Sequence, residues 1–272
     1  MKEKISLAGD LGSGKSTVSS LLVERIGADY YCTGAKVRSI AERLGMSVVE
    51  LNVYMETHPE IDQEIDDGLR ALALEDKHII IDSRLAWHFT PGTFKVYLST
   101  DIETSALRIM TANRRGEHAA SLEATIADTR SRRASEKKRY AEQYGVDIMN
   151  LLNYDLVVDT SDATPSEVAD CIIAAFEEWK RDKSYSALFI TPTRLMYPAD
   201  APDAELIDKY SAMLELGQTV PKIQVTEDDG DFYLTSGLEA ALAYSFNGAA
   251  FIPATLVSRE HTGEYIRMKN SL

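Results

Sequence analysis

Near the amino terminus, Gly9-Asp-Leu-Gly-Ser-Gly14-Lys15-Ser16 fits the spacing G-x-x-x-x-G-K-[ST] at every fixed position. An apolar run, Ile5-Ser-Leu-Ala8, leads into it. Ser16-Thr-Val-Ser-Ser-Leu-Leu-Val-Glu-Arg-Ile26 leaves it with apolar residues at helical spacing. Strand, glycine loop and helix in that order commit a chain to a parallel α/β sheet with an anion cradle at a strand end. The glycines let backbone N–H groups converge on phosphate oxygens, and the helix N-terminus adds partial positive charge. The segment Gly9, Gly12, Ser13, Gly14, Lys15, Ser16, Thr17 is therefore expected to bind a nucleotide phosphate. Lys15 would reach the β- and γ-phosphates, and the Ser16 hydroxyl would ligate Mg²⁺.

The rest of the chain narrows the class. No apolar run among the 272 residues approaches the length of a membrane span. Met1-Lys-Glu-Lys runs straight into a strand, leaving no room for a leader peptide, so a cytoplasmic location is expected. Cys32 and Cys171 are too few for a disulfide framework and read as small apolar residues. A net charge of −14 argues against a nucleic-acid polymer as partner but allows a small anion in a local basic pocket. The five histidines are scattered without ligand spacing.

Residues 1–183 alternate short strands (4–8, 29–32, 78–82, 94–98, 156–159) with helical patterns (15–26, 34–44, 48–56, 61–74, 104–113, 122–143, 165–181), which predicts a P-loop parallel sheet flanked by helices. Thr164, Pro165 and Glu167 supply start chemistry for the last helix, and the polar run Glu178-Trp-Lys-Arg-Asp-Lys-Ser184 reads as a boundary. Residues 184–272 are expected to form a small α+β unit. Its strands are expected at 187–191, 222–226, 232–234 and 252–257, its helices at 204–216 and 237–246, with a tight turn at Asp228-Asp-Gly-Asp231.

Motifs of a GTPase or a mechanical ATPase are missing, whereas arginines are spread through the first segment at 38, 84, 108, 114, 115, 130, 132, 133 and 139. Phosphoryl transfer needs positive charge around the moving group and its acceptor. The alternative for the basic cluster at 130–139 is a solvated helix face paired with Glu123, Asp128 and Glu136.

Further segments follow the loop in order: Thr33-Gly-Ala-Lys-Val-Arg38-Ser-Ile-Ala, Pro59-Glu-Ile-Asp62-x-x-Ile-Asp66, Asp82-Ser-Arg84-Leu-Ala-Trp87, Arg108-Ile109 with Arg114, Arg139-Tyr140 with Tyr144-Gly-Val-Asp147, and Tyr154-Asp-Leu-Val-Val-Asp159-Thr-Ser161. Together they resemble a nucleoside monophosphate kinase, most closely the short, archaeal-like cytidylate kinases, over residues 4 to about 177. The resemblance implies ATP and Mg²⁺ as cofactors and a nucleoside monophosphate, CMP or dCMP first, as the small-molecule acceptor. Lys15, Arg130 and Arg133 would be catalytic, the two arginines on a lid-like helix. Arg38, Arg84 and Asp62 would hold the acceptor, and Ser16 with Asp82 the metal.

Three departures qualify this. Asp66 is followed by Asp67-Gly-Leu69 where the family carries a basic and amide pair, and Arg70 is displaced to the far side of the helix. Asp10 sets a carboxylate in an anion-binding loop, and Asp82 replaces a glycine. A kinase of this fold with another acceptor and a non-catalytic ATP-sensing protein therefore remain open. Residues 187–257 faintly resemble the ParB/sulfiredoxin type of small domain, with Thr235-Ser-Gly-Leu-Glu239-Ala replacing its D-G-H-H-R, and imply a degenerate module able to engage a protein partner.

Overall fold

A computed structural model describes residues 2–55, 57–111, 121–199, 201–258, 261 and 264–268. Strand β1 (Lys4–Gly9) is buried along its whole length, as a strand covered on both faces must be. It ends in the glycine loop, from which α1 (Lys15–Ile26) departs, and β2 (Asp29–Cys32) follows. Helices α2 (Thr33–Leu44), α3 (Val48–Met55) and α4 (Pro59–Leu74) lead to β3 (Ile79–Asp82). The short α5 (Ala86–Phe89) precedes β4 (Phe94–Ser99), and α6 (Ile102–Thr111) and the long α7 (Leu122–Tyr144) precede β5 (Leu156–Asp159). Next comes α8 (Pro165–Arg181), opened by a complete capping box between Thr164 and Glu167. The expected helix end at 113, together with Arg114, Arg115 and His118, lies outside the described residues.

The remaining elements are β6 (Ala187–Ile190), β7 (Leu195–Pro198), α9 (Ala204–Glu215), β8 (Ile223–Asp228), β9 (Asp231–Ser236), α10 (Leu238–Phe246), β10 (Ile252–Leu256) and β11 (Tyr265–Arg267). The turn at 228–231 forms as expected, with Asp229 and Gly230 both at positive φ. The stretch 235–240 spans the end of β9 and the start of α10, with Gly237 at the junction.

The two parts share one sheet. Among the described residues the strand order is β11-β7-β9-β8-β10-β6-β5-β4-β1-β3-β2. From β2 through β6 every pairing is parallel, so β6 extends the parallel half before β10 pairs with it antiparallel. One apolar core lies under α1 and α8, where Leu22, Phe94, Val168, Ile172 and Trp179 pack together. A second joins Ala8, Tyr97, Tyr154 and Val157 of the first part to Leu188, Ile190, Ile223 and Phe232 of the second.

Candidate functional site

The parallel strands end together, and that common edge builds the site. Gly9 and Leu98 are register partners, and a Cβ on Gly9 would lie 2.4 Å from the Leu98 carbonyl oxygen. A Cβ on Gly12 would lie 2.6 Å from the Ser105 carbonyl oxygen of α6, so both positions need glycine for close approach as well as for positive φ. The Ser105 hydroxyl supports the loop by donating to the Leu11 carbonyl at 2.6 Å.

Lys15, the first residue of α1, folds back over this loop. Its Nζ donates to the carbonyls of Gly9 and Asp10 at 2.8 and 2.7 Å and to Ser13 Oγ at 3.4 Å. Burial pulls its ammonium down to about 8, and neighbouring Arg84 pushes the same way against the pull of Asp82, Asp10 and Glu136. Three neutral oxygens thus stand in for the anion that such a cation fits best. Ser16 and Thr17 are exposed at the helix start.

Asp10, the anomalous loop residue, turns its carboxylate away from the loop amides. It accepts from Tyr97 Oη at 2.8 Å and from the Thr100 backbone N–H at 3.0 Å, and pairs with Arg133 of α7 at 3.6 Å. Tyr97 is held far above its ordinary pKa by burial and by that carboxylate, so it is a donor throughout. Tyr97 of β4, Thr100 just beyond it and Arg133 of α7 supply the offset that the sequence alone leaves missing.

Arg84 follows β3 and reaches α7, where Glu136 binds it at 2.8 Å while also accepting from Arg132 at 3.2 Å. Asp82 accepts from Tyr30 Oη at 3.1 Å, with Cys32 Sγ at 3.8 Å. Loop, Lys15, Asp10, Arg84, Glu136 and Arg133 therefore converge, and Asp82 lies within electrostatic reach of Lys15. The other expected residues are elsewhere. Asp62 is buried on α4 against Arg139 at 3.9 Å, and burial raises its pKa. Arg38 is exposed on α2 beside Gly34, and Arg130 is exposed on α7. Arg70 leans on Phe89 and pairs with Asp67. Among the described residues, no group of three or more His, Cys, Asp or Glu could hold a metal ion.

Sequence reasoning did not find Tyr97, Thr100 and Glu136 as site residues. Only Glu136 left a signal, its spacing from the arginines of α7. Arg108 is a brace rather than a ligand: it donates to Thr160 O at 2.6 Å, Ser161 O at 3.3 Å and Gly12 O at 3.5 Å, tying the loop to the end of β5.

Comparison with known proteins places the chain among relatives. The chain is 37% identical to a cytidylate kinase of Thermoplasma volcanium over 67% of its own length and 96% of that protein. It is also 37% identical to an S-adenosylmethionine-dependent nucleotide dehydratase of Lacinutrix mariniflava over 65% of its length, a match that spans only 37% of that relative. An uncharacterized protein from Eubacterium ventriosum shares the fold at a TM-score of 0.50 and 15% identity, over 65% of this chain and 99% of the other. The model of the cytidylate kinase-like family matches residues 4–162, and the chain belongs to that family.

Proposed function

We propose that the chain transfers the γ-phosphoryl group of ATP to a nucleoside monophosphate, with CMP or dCMP as the first candidate. Family membership supports nucleotide kinase activity. The observation that carries the reading is Lys15, a partly buried cation that among the described residues donates to neutral oxygens, beside two arginines, Arg84 and Arg133, that acidic partners hold in reserve. Anionic phosphates would replace the carbonyls around Lys15. Arg38 and Arg84, with Asp62, would orient the acceptor, and Arg130 and Arg133 would close over the moving group and exclude water. An acceptor phosphate oxygen forms the new bond to the γ-phosphorus as the bond to the ADP leaving oxygen breaks. Positioning and charge neutralisation lower that barrier, without a side-chain nucleophile. Mg²⁺, held by Ser16 and Asp82 with the donor phosphates, would supply further neutralisation of the developing charge.

One observation favours a different acceptor on the same fold. Gly68, where the resembled family carries a basic side chain, packs so that a Cβ there would lie 2.9 Å from Tyr31 Oη. The acceptor-side wall is therefore closed differently, and base choice follows the groups actually present. A coupled ADP-release assay across monophosphates decides. Turnover confined to CMP and dCMP supports the first reading, and turnover on another acceptor alone supports the second. ATP binding by calorimetry with turnover on none makes the chain a nucleotide-binding regulator. Lys15→Ala is expected to abolish transfer while the fold persists by circular dichroism, and retained activity would remove the donor-site assignment.

A further inference from the structure

The β8–β9 turn belongs to the second part of the chain, yet it ends against the lid arginine of the first. A Cβ on Gly230 would lie 3.3 Å from Arg133 Nη1 and 3.8 Å from Nη2, so the turn backbone rests directly on the guanidinium. The same guanidinium pairs through Nη2 with Asp10 of the phosphate loop at 3.6 Å. Burial works against the charge of Arg133, while Asp10, Tyr97, Glu227 at the edge of the turn and Asp229 within it all favour that charge.

The turn is tied in this position. The Gly230 carbonyl accepts from Nη2 of Arg194, and the Gly230 N–H donates to Glu227 Oε1 at 2.7 Å. Arg194 is 2% exposed and is itself fixed to Ser161 Oγ at 3.0 Å and to Asp159 at 3.4 Å. Ser161 lies on the segment that Arg108 binds together with Gly12. A continuous set of contacts therefore runs from the phosphate loop through the end of β5 to the acidic turn.

We propose that this turn is a built-in competitor for the donor phosphates: it holds Arg133 against Asp10, and productive ATP binding requires the arginine to exchange the turn for phosphate. The inference rests on the donor-site reading above and adds regulation by the second part of the chain. Anything that lifts the turn, a protein bound to that part included, would raise ATP affinity without touching the loop.

The test uses the full chain and ATP binding by calorimetry, which reads the site whether or not turnover occurs. Glu227→Gln keeps the acceptor for the Gly230 N–H, and Asp229→Asn suits the left-handed backbone at that position. Each is expected to tighten ATP binding about threefold, the size of one screened ion pair. The gain should be largest at about 50 mM KCl and vanish near 1 M, where the screening length is a few ångströms. Asp208→Asn, an exposed acid on α9, controls for net charge and should change nothing. Unchanged or weaker ATP binding in Asp229→Asn and in the double variant, with Lys15→Ala still losing affinity, overturns the competitor. Lys15→Ala binding ATP normally overturns the donor site and the inference together. Asp229 is exposed, so its variant decides even if Glu227→Gln fails to fold.

Discussion

Lys15 carries its charge at some cost in the free protein, because burial draws its pKa to about 8. Phosphate oxygens would reverse that by pairing with the ammonium, so the bound pKa must exceed the free one. ATP binding should therefore take up a proton at any pH between the two values. Affinity is expected to be flat below about pH 8 and to fall as pH rises above it, by up to tenfold per unit. The same depression makes the unliganded fold gain stability as pH rises from about 8 toward the ordinary lysine value, where the unfolded chain still binds the proton and the folded chain does not. Calorimetry in two buffers of different ionisation enthalpy reads the uptake directly, and binding at pH 9 without proton uptake would contradict it. The loop itself was legible from spacing alone, since the positions that need glycine are the ones the pattern fixes. Asp10 was legible only as an anomaly. Its partners Tyr97 and Thr100 arrive from β4, nearly ninety residues on, and no local pattern encodes that meeting.

At the scale of one element, α7 joins both sides of the site. Along one stripe it offers Arg133 to Asp10, Glu136 to Arg84, Arg139 to Asp62 and Tyr144 to Asp66, the last at 2.8 Å. Its ends were readable, because Ser121 caps the first turn and Gly145 stops the last in a left-handed conformation. What the stripe faces was not, for the phosphate loop, the β3–α5 connection and α4 supply it from the first third of the chain. Glu136→Gln would leave Arg84 without its counter-charge. If Arg84 holds the acceptor phosphate, the KM for the monophosphate should fall several-fold while ATP affinity stays put, and steady-state kinetics with each substrate varied separates the two. Tyr144→Phe removes the donor to the buried Asp66 and is expected to cost about 1–3 kcal/mol in urea unfolding. The two strands the pattern missed, β7 and β11, are short and lie at one end of the sheet, paired with each other. Edge strands of three or four residues owe their shape to the partner rather than to propensity.

Across the whole molecule, the polar run at 178–184 suggests a boundary, while the sheet runs through it by way of β5 and β6. The apolar residues on the two sides pack into one cluster, with Tyr97, Tyr154 and Val157 lying among Leu188, Ile190 and Phe232. Asp159, wholly buried, gains its counter-charge from Arg194 across the same junction. Burial holds the Asp159 carboxyl above its usual pKa range, with Arg194 and its hydrogen-bonding neighbours Ser161 and Thr191 pulling the other way. Removing one partner of such a pair strands a charge in the interior, so Arg194→Met is expected to lower unfolding free energy by about 3–5 kcal/mol. Arg194→Met combined with Asp159→Asn should recover part of that loss: the amide carries no charge, but its NH2 cannot accept from one of the two backbone N–H groups, of Ser161 and Thr191, that the carboxylate satisfies. The shared cluster makes a stronger demand. Calorimetric heating of the full chain should show one transition, and residues 1–183 made alone should expose the β5 edge and the apolar side chains behind it. That fragment is expected to aggregate or to melt far below the full chain. A monomeric 1–183 fragment with the melting temperature of the whole protein would mean that the junction is a contact between independent units, and that the acidic turn reaches Arg133 only as a neighbour.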